Sequence, residues 1–387
     1  MESKKKLRIC FVASNPNFDG GMSLLQRNLI DYIKHTKLSY EITWVHPGES
    51  NIRYFKEGIN YVQLKTPKII FLEDILFDIN VLKFFRKNYF DIINSHAIWG
   101  YWLKNYKKME NQKLIHTYHG VTYNFFKNHF ERFSFFNRIF LSPLLLFGYI
   151  LEKPPIKKAD SIICVSGRVK RELEKLYNTK RDMKVIRTGV NLKDFYPRNK
   201  VAVRKTLNLE ADKTYGLYIG RGGYWRKGLD RAVNISEEIY KKNTNYRLII
   251  VGADYKKVKK IIDNKKSLIY FERVPRETIP LYYSASDFSF CLSRYEGGAP
   301  TLVTSETMAS GCLLVCSKDS EQEIVEDEKN CLILENFDKK DAERIIEILK
   351  NKKKKSEIIK NSIKTIKEFS LEKWGEKYLD ILMKETA

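Results

Sequence analysis

Four short stretches of this chain carry residue types and spacings that could do chemistry. The first is Glu296-Gly297-Gly298-Ala299-Pro300-Thr301, followed by Glu306 and closed by Gly311. Two carboxylates here bracket a glycine pair and a proline. Apolar runs at 288–292 and 313–316 flank them, so the stretch reads as strand, glycine turn, helix, strand. Pro300 suits the first helical position, where its missing N–H leaves nothing unsatisfied. The N–H groups and dipole of such a helix point at the carboxyl end of the preceding strand, a place that binds anions. The second stretch is Gly220-Arg221, two more glycines, then Tyr224-Trp225-Arg226-Lys227-Gly228. Cations around a glycine loop suit a pyrophosphate. The third is Gly20-Gly21, after an apolar run at 7–13; the pair lacks the G-x-G-x-x-G dinucleotide fingerprint but lets backbone approach a ligand. The fourth is a pair of strand ends carrying histidine, His96 after 91–95 and His119 after 114–118. Open α/β sheets place ligand groups at such ends. His116, three residues before His119, is expected on the other side of its strand.

These residues need strands and helices in alternation to position them. Buried strands are read at 7–13, 40–45, 91–97, 114–120, 159–166, 215–220, 247–252, 268–271, 288–292 and 313–316. Helices are read at 22–33, 167–177, 277–284, 321–325 and 370–384, with lysine-rich amphipathic helices across 338–368. A chain of 387 residues suits two domains. The second starts again with a strand and a glycine loop, and the boundary is expected near 197.

The segment at 306–311, Glu-Thr-Met-Ala-Ser-Gly, together with the glutamate pair, resembles the donor-site motif of the retaining glycosyltransferases of the GT-B fold, glycosyltransferase family 4 (glycosyl transferases group 1). This chain has two residues more between Glu296 and Glu306 than that family usually has, which lengthens the turn before Pro300. The resemblance is strong over 215–335 and extends over nearly the whole chain. It implies an α/β fold of two Rossmann-like doubly wound domains facing a central cleft: an acceptor-side domain at 1–197, a nucleotide-sugar domain at 198–368, and a last helix at 369–387 crossing back to the first.

The resemblance also assigns roles. Glu296 would meet the transferred sugar, and Glu306 would accept hydrogen bonds from the ribose hydroxyls. Gly297, Gly298, Ala299, Pro300 and Thr301 would line the donor turn. Arg221 and Lys227 would clamp the diphosphate, and the loop's extra residue lets Arg226 share that role. Val274, in Arg273-Val274-Pro275, falls where the family's loop packs on the base. Gly20 and Gly21 would lie over the cleft. Thr117-Tyr118-His119-Gly120 matches the family's Thr-x-His-Gly strand end, which makes His119 a catalytic candidate; His96 is an acceptor-side one. The implied activity is transfer of a sugar, with retention, from a UDP- or GDP-sugar to a glycan or lipid-linked acceptor in cell-surface polysaccharide or glycolipid synthesis. No metal and no cofactor beyond the donor are implied.

Composition bounds the rivals. The net charge of +23 points to an anionic partner: a phosphorylated substrate, a membrane surface or a nucleic acid. No nucleic-acid motif is recognisable, so none is expected as a partner. A GT-B sugar-nucleotide epimerase is a second alternative. The aromatic and basic stretch at 125–158 is a candidate for docking on an anionic membrane, while its longest apolar part, 140–151, is too short to span one. The basic cluster at 4–8 precedes too short an apolar run for a secretory signal. Six cysteines, at 10, 164, 291, 312, 316 and 331, fall mostly in strand-like runs and form no metal or disulfide spacing, which fits a reducing cytoplasm. A cytoplasmic protein, peripheral on the inner membrane face, is the expectation.

Overall fold

The computed structural model describes residues 6–18, 20–36, 39–69, 72–130, 133–221 and 224–384. The chain forms two compact units, Met1–Arg187 with Glu372–Ala387, and Thr188–Leu371. The boundary expected near 197 is therefore corrected to 187. The reason is burial: Val190 and Phe195 lie in the second unit's apolar cluster with Tyr215, Ile249 and Tyr283. Backbone bonds between Val190 and residues 369–371 fix the same segment.

The first unit carries β1 (Leu7–Val12), β2 (Tyr40–Gly48), β3 (Ile52–Lys56), β4 (Ile59–Lys65), β5 (Ile92–His96), β6 (Lys113–Tyr118), β7 (Ser161–Cys164) and β8 (Lys184–Val185). They order as β3-β4-β2-β1-β5-β6-β7-β8 and are parallel except for the β3–β4 hairpin. That hairpin turns at Glu57 and Gly58, both at positive φ, the requirement of a tight two-residue turn. The helix Leu371–Met383 belongs to this unit. Tyr378 donates to Asn94 Oδ1 at 3.2 Å and bonds Thr117. Gly375 permits the approach, since a Cβ there would lie 2.4 Å from the Tyr32 ring.

The second unit carries β9 (Thr214–Ile219), β10 (Tyr246–Val251), β11 (Leu268–Phe271), β12 (Phe288–Cys291), β13 (Leu313–Ser317) and β14 (Leu332–Leu334). They form a fully parallel sheet in the order β11-β10-β9-β12-β13-β14. Alternate residues serve its two faces, as strand geometry dictates. Leu248, Ile250, Phe288, Phe290 and Val315 pack on one side; Leu217, Ile249, Val251, Leu314 and Cys316 pack on the other. At the amino end of β12, Asp287 takes Lys200 at 2.8 Å, Arg204 at 2.8 Å and the Tyr215 N–H at 3.0 Å, tying three segments to one carboxylate.

In both sheets the strand order reverses once, beside β1 and β9, and open α/β sheets bind ligands outside the carboxyl ends of strands at that point. Three local expectations are corrected. Thr301, not Pro300, starts the helix Leu302–Ala309: its hydroxyl caps the Thr304 N–H at 3.1 Å, so Pro300 lies one residue outside. Residues 321–325 form a turn rather than a helix, with Glu321 left-handed at φ 43° and Gln322 buried. The apolar stretch read as too short lies within a helical segment, Phe135–Lys158, long and apolar enough by length and composition to cross a membrane.

Candidate functional site

In the second unit the switch point lies between β9 and β12. Arg221 follows β9 and is exposed; Gly222 and Gly223 lie outside the described residues. The loop then forms a single helical turn, Tyr224–Lys227, and folds back against the end of β12. Gly228 makes this possible. Its φ is 74°, and a Cβ would sit 2.0 Å from the Leu292 carbonyl oxygen. The Arg294 side chain locks the turn from the β12 side. It pairs with both oxygens of Asp230, at 3.0 and 2.6 Å, and lies over the Trp225 ring at 4.3 Å.

This packing delivers two cations to one carboxylate. Lys227 Nζ lies 2.6 Å from Glu296 Oε1, and Arg226 Nη1 lies 3.4 Å from the same oxygen. Glu296 is 10% exposed. Burial alone would raise its pKa, but Lys227 and Arg226 outweigh it and hold the carboxyl below its usual range. Two cations against one anion leave the pocket locally positive. Arg226 thus shares the place expected of Lys227.

Directly after Glu296, Gly297 and Gly298 both take positive φ, 63° and 75°, which L side chains rarely adopt. The turn is braced from below: Gly298 O accepts the Glu323 N–H at 3.0 Å, and Pro300 O accepts the Thr188 hydroxyl at 3.1 Å. Gln322 Oε1 accepts the Thr301 N–H at 3.2 Å and the Thr304 hydroxyl at 2.6 Å. The Thr301 N–H is therefore engaged by Gln322, and Pro300 has none to offer a ligand.

Glu306 stands in a different setting. It is 2% exposed. Arg276 reaches one oxygen, and the Tyr283 hydroxyl donates to the other at 3.1 Å. Burial pushes its pKa up against these partners. Arg276 was not among the expected site residues; it sits in the turn before the helix Ile279–Ala285, with its guanidinium 5.4 Å from the Phe195 ring. Val274, two residues earlier, is half-buried against the same apolar cluster.

In the first unit, the switch point gathers the ends of β1, β5 and β6. β5 and β6 are neighbours in register, so His96 and His119 meet: His96 Nδ1 lies 3.0 Å from His119 Nε2. His116 makes a separate bond, Nδ1 to the Ser95 hydroxyl at 2.8 Å. Burial depresses all three imidazoles, His119 to about 4 and His116 to about 3, with His96 also well below its usual value. They are neutral at pH 7, and one ring of the His96–His119 pair donates while the other accepts. The β6 end is fixed by Glu152. Its oxygens accept the Thr122 N–H at 3.0 and 2.9 Å and the Thr122 hydroxyl at 2.6 Å. Gly20 caps the helix Gly21–Lys34 in an extended conformation, φ −101°, and neither glycine of the pair takes positive φ. The Phe18 ring occupies the space where a Gly20 Cβ would be.

Comparison with known proteins agrees with this architecture. Residues 199–365 match the family described as glycosyl transferases group 1, and residues 20–194 match glycosyltransferase family 4. No curated protein matches by sequence. Among solved structures, sucrose-phosphate synthase from Thermosynechococcus elongatus is similar with TM-score 0.79 and 19% identity, over 97% of this chain and 98% of that one. WaaG, a glycosyltransferase involved in lipopolysaccharide biosynthesis, has TM-score 0.75 and 13% identity over 97% and 99%. Anabaena HepE in complex with UDP-glucose has TM-score 0.70 and 15% identity over 98% and 100%. The two matched segments take in the second sheet, all strands of the first except β1, and the residues of the two clusters just described, and the chain belongs to the family 4 glycosyltransferases of the GT-B fold.

Proposed function

We propose that this glycosyltransferase moves a sugar, with retention of anomeric configuration, from a UDP- or GDP-sugar to a glycan or lipid-linked acceptor in cell-surface polysaccharide or glycolipid synthesis. The observation that carries the reading is the Lys227–Arg226–Glu296 cluster at the sheet's switch point, beside two left-handed glycines. A diphosphate is the leaving group, so the step needs positive charge where the negative charge grows. Lys227, Arg226 and Arg221 supply it. The acceptor oxygen bonds to the anomeric carbon on the face from which the diphosphate departs. Its proton passes to the departing phosphate oxygen, and no protein nucleophile takes part. Glu296, kept ionised, hydrogen-bonds the sugar and faces the positive charge that develops on it.

Glu306 holds the ribose. A carboxylate has about four lone-pair sites, and Arg276 and Tyr283 use two of them. His119 and His96, as a neutral bonded pair, present a polar edge to the acceptor side. The protein works without a metal, at the cytoplasmic face of a membrane. HepE, of the same fold, was solved with UDP-glucose, which supports a nucleotide-sugar donor. The test is calorimetric titration with UDP- and GDP-sugars. Binding of one nucleotide class, weakened in Lys227→Ala, is expected; binding of neither class refutes the reading. Product analysis with donor alone distinguishes an epimerase, which would convert it without an acceptor.

A further inference from the structure

The first unit carries an apolar ridge that nothing in the described structure covers. Phe135 is 72% exposed, Phe136 81%, Ile139 56%, Leu146 61% and Ile150 44%. They lie on the helices Phe135–Leu141 and Pro143–Lys158. Ser142 joins the two in helical conformation, φ −56° and ψ −31°, so the helical turn runs on through the junction. Residues 135, 139, 146 and 150 are spaced by four, seven and four, which puts them on one face of a helix, with Phe136 at its margin. Further along the same face come Lys153 and exposed Lys157, and Arg138 flanks the ridge. An apolar stripe bordered by cations has the chemistry of an anionic lipid surface: rings and aliphatic side chains enter the acyl boundary and ammonium groups meet the phosphates.

The inner end of this segment cannot leave the protein. Gly148, Leu151, Glu152, Pro154, Pro155 and Ile156 are buried. The part bearing the ridge, 135–150, is about 24 Å long, short of the ~30 Å hydrocarbon core. The segment therefore lies along the interface rather than crossing it. Its buried end is bolted to the His119 strand end through Glu152 and Thr122, and Gly148 approaches so closely that a Cβ would lie 3.2 Å from Thr122.

We propose that the ridge at 135–150 docks this protein on an anionic bilayer and holds the His96–His119 strand ends at a fixed height above it, where a lipid-linked acceptor would be presented. This rests on the reading of the chain as a glycosyltransferase with a membrane-borne acceptor.

The test is co-sedimentation of the full-length protein with vesicles of phosphatidylcholine alone and of phosphatidylcholine with phosphatidylglycerol. Binding to the anionic vesicles is expected, falling as salt rises. The double variant Phe136→Ser/Ile139→Ser should bind about tenfold more weakly. Phe55→Ser, which removes an equally exposed ring from β3, should bind as the parent does. The proposal is overturned if the parent stays in the supernatant, if the ridge variant binds equally, or if Phe55→Ser loses as much. It is also overturned if the parent is a dimer that the ridge variant dissociates, because the ridge then meets a second copy. Donor binding by the ridge variant should be unchanged. A parent that binds no nucleotide sugar refutes the glycosyltransferase reading and leaves the lipid result standing.

Discussion

Replacing Lys227 by alanine separates two roles that the structure gives it. In the protein alone, Lys227 partners Glu296 at 2.6 Å, and Arg226 backs it at 3.4 Å. A charge-assisted bond of this kind contributes about 1.5–3 kcal/mol. Lys227 is 30% exposed and Arg226 remains in place, so the expected loss of stability is nearer 1 kcal/mol. Toward a diphosphate the variant loses one charge-assisted contact that Arg226 does not make from its own position, and donor binding should weaken by about 2–3 kcal/mol, some 30- to 150-fold in Kd. Glu296→Gln acts the other way. It removes the negative charge beside both cations and makes the site more positive, so UDP should bind as well as before or better while stability falls. The double variant should then show a stability loss smaller than the two single losses together, since they remove one interaction. Its UDP affinity should match that of Lys227→Ala. Calorimetry with UDP and denaturant melts measure both quantities on each protein. If Lys227→Ala binds UDP within about twofold of the parent, the lysine belongs to the fold and not to the donor, and the diphosphate site has been misplaced.

Gly228→Ala should cost on the order of 3 kcal/mol, because it combines a left-handed backbone with a Cβ against the Leu292 carbonyl; an unchanged urea midpoint would show that the loop relaxes freely. Asp287 is held at about 2 against an ordinary 3.8, because Lys200 and Lys355 outweigh the rise that burial would cause. A depressed carboxyl stabilises above its unfolded pKa and loses that contribution as pH falls through the folded one. The stability gap between parent and Asp287→Asn should therefore include about 2 kcal/mol above pH 4 that disappears toward pH 2, and a gap constant over that range would contradict it. The neutral imidazoles give the opposite handle: with His119 near 4 and His116 near 3, the unfolded chain binds protons first, so melting temperature should fall as pH drops from about 6.5 to 4. A flat profile in that window would mean these rings are not buried as described.

What the sequence disclosed follows from how each element is buried. β1, β9, β10, β12 and β13 are largely buried and read as mostly apolar runs, so their positions were plain. The β3–β4 hairpin was missed because every residue of β3 is exposed and its composition is mixed. The helix start at Thr301 was legible in principle. A threonine three residues before the Thr304 N–H is a stronger start signal than proline, yet proline drew the assignment. Arg276 was not legible. It is 30 residues from Glu306 in the chain, and only the turn after β11 brings them together. The meeting of His96 and His119 needed β5 and β6 to be adjacent, a fact of topology that two separate strand ends do not contain.

The two glutamates show why spacing alone could not assign their roles. In sequence they look like a symmetric pair around a glycine turn. In the structure they are opposites: cations hold Glu296 below its usual range, while burial pushes Glu306 above it. Glu296 sits on a turn of two left-handed glycines that carry no side chain to block a ligand. Glu306 sits inside a helix whose neighbours in sequence, Ser305 and Thr307, are themselves buried. A group needed where charge develops has to be ionised and reachable, and Glu296 meets both conditions. A group needed only to hold a substrate can be buried and fixed by partners, as Arg276 and Tyr283 fix Glu306. The variants should therefore differ in kind. Glu306→Gln removes binding felt equally in ground and transition states, so KM should rise about tenfold with kcat nearly unchanged. Under the proposed function Glu296 meets the reacting sugar, so in Glu296→Gln kcat should fall while UDP affinity holds. A Glu306→Gln enzyme with a depressed kcat and an ordinary KM would reverse the assignment and move the reacting sugar to the helix side of the turn.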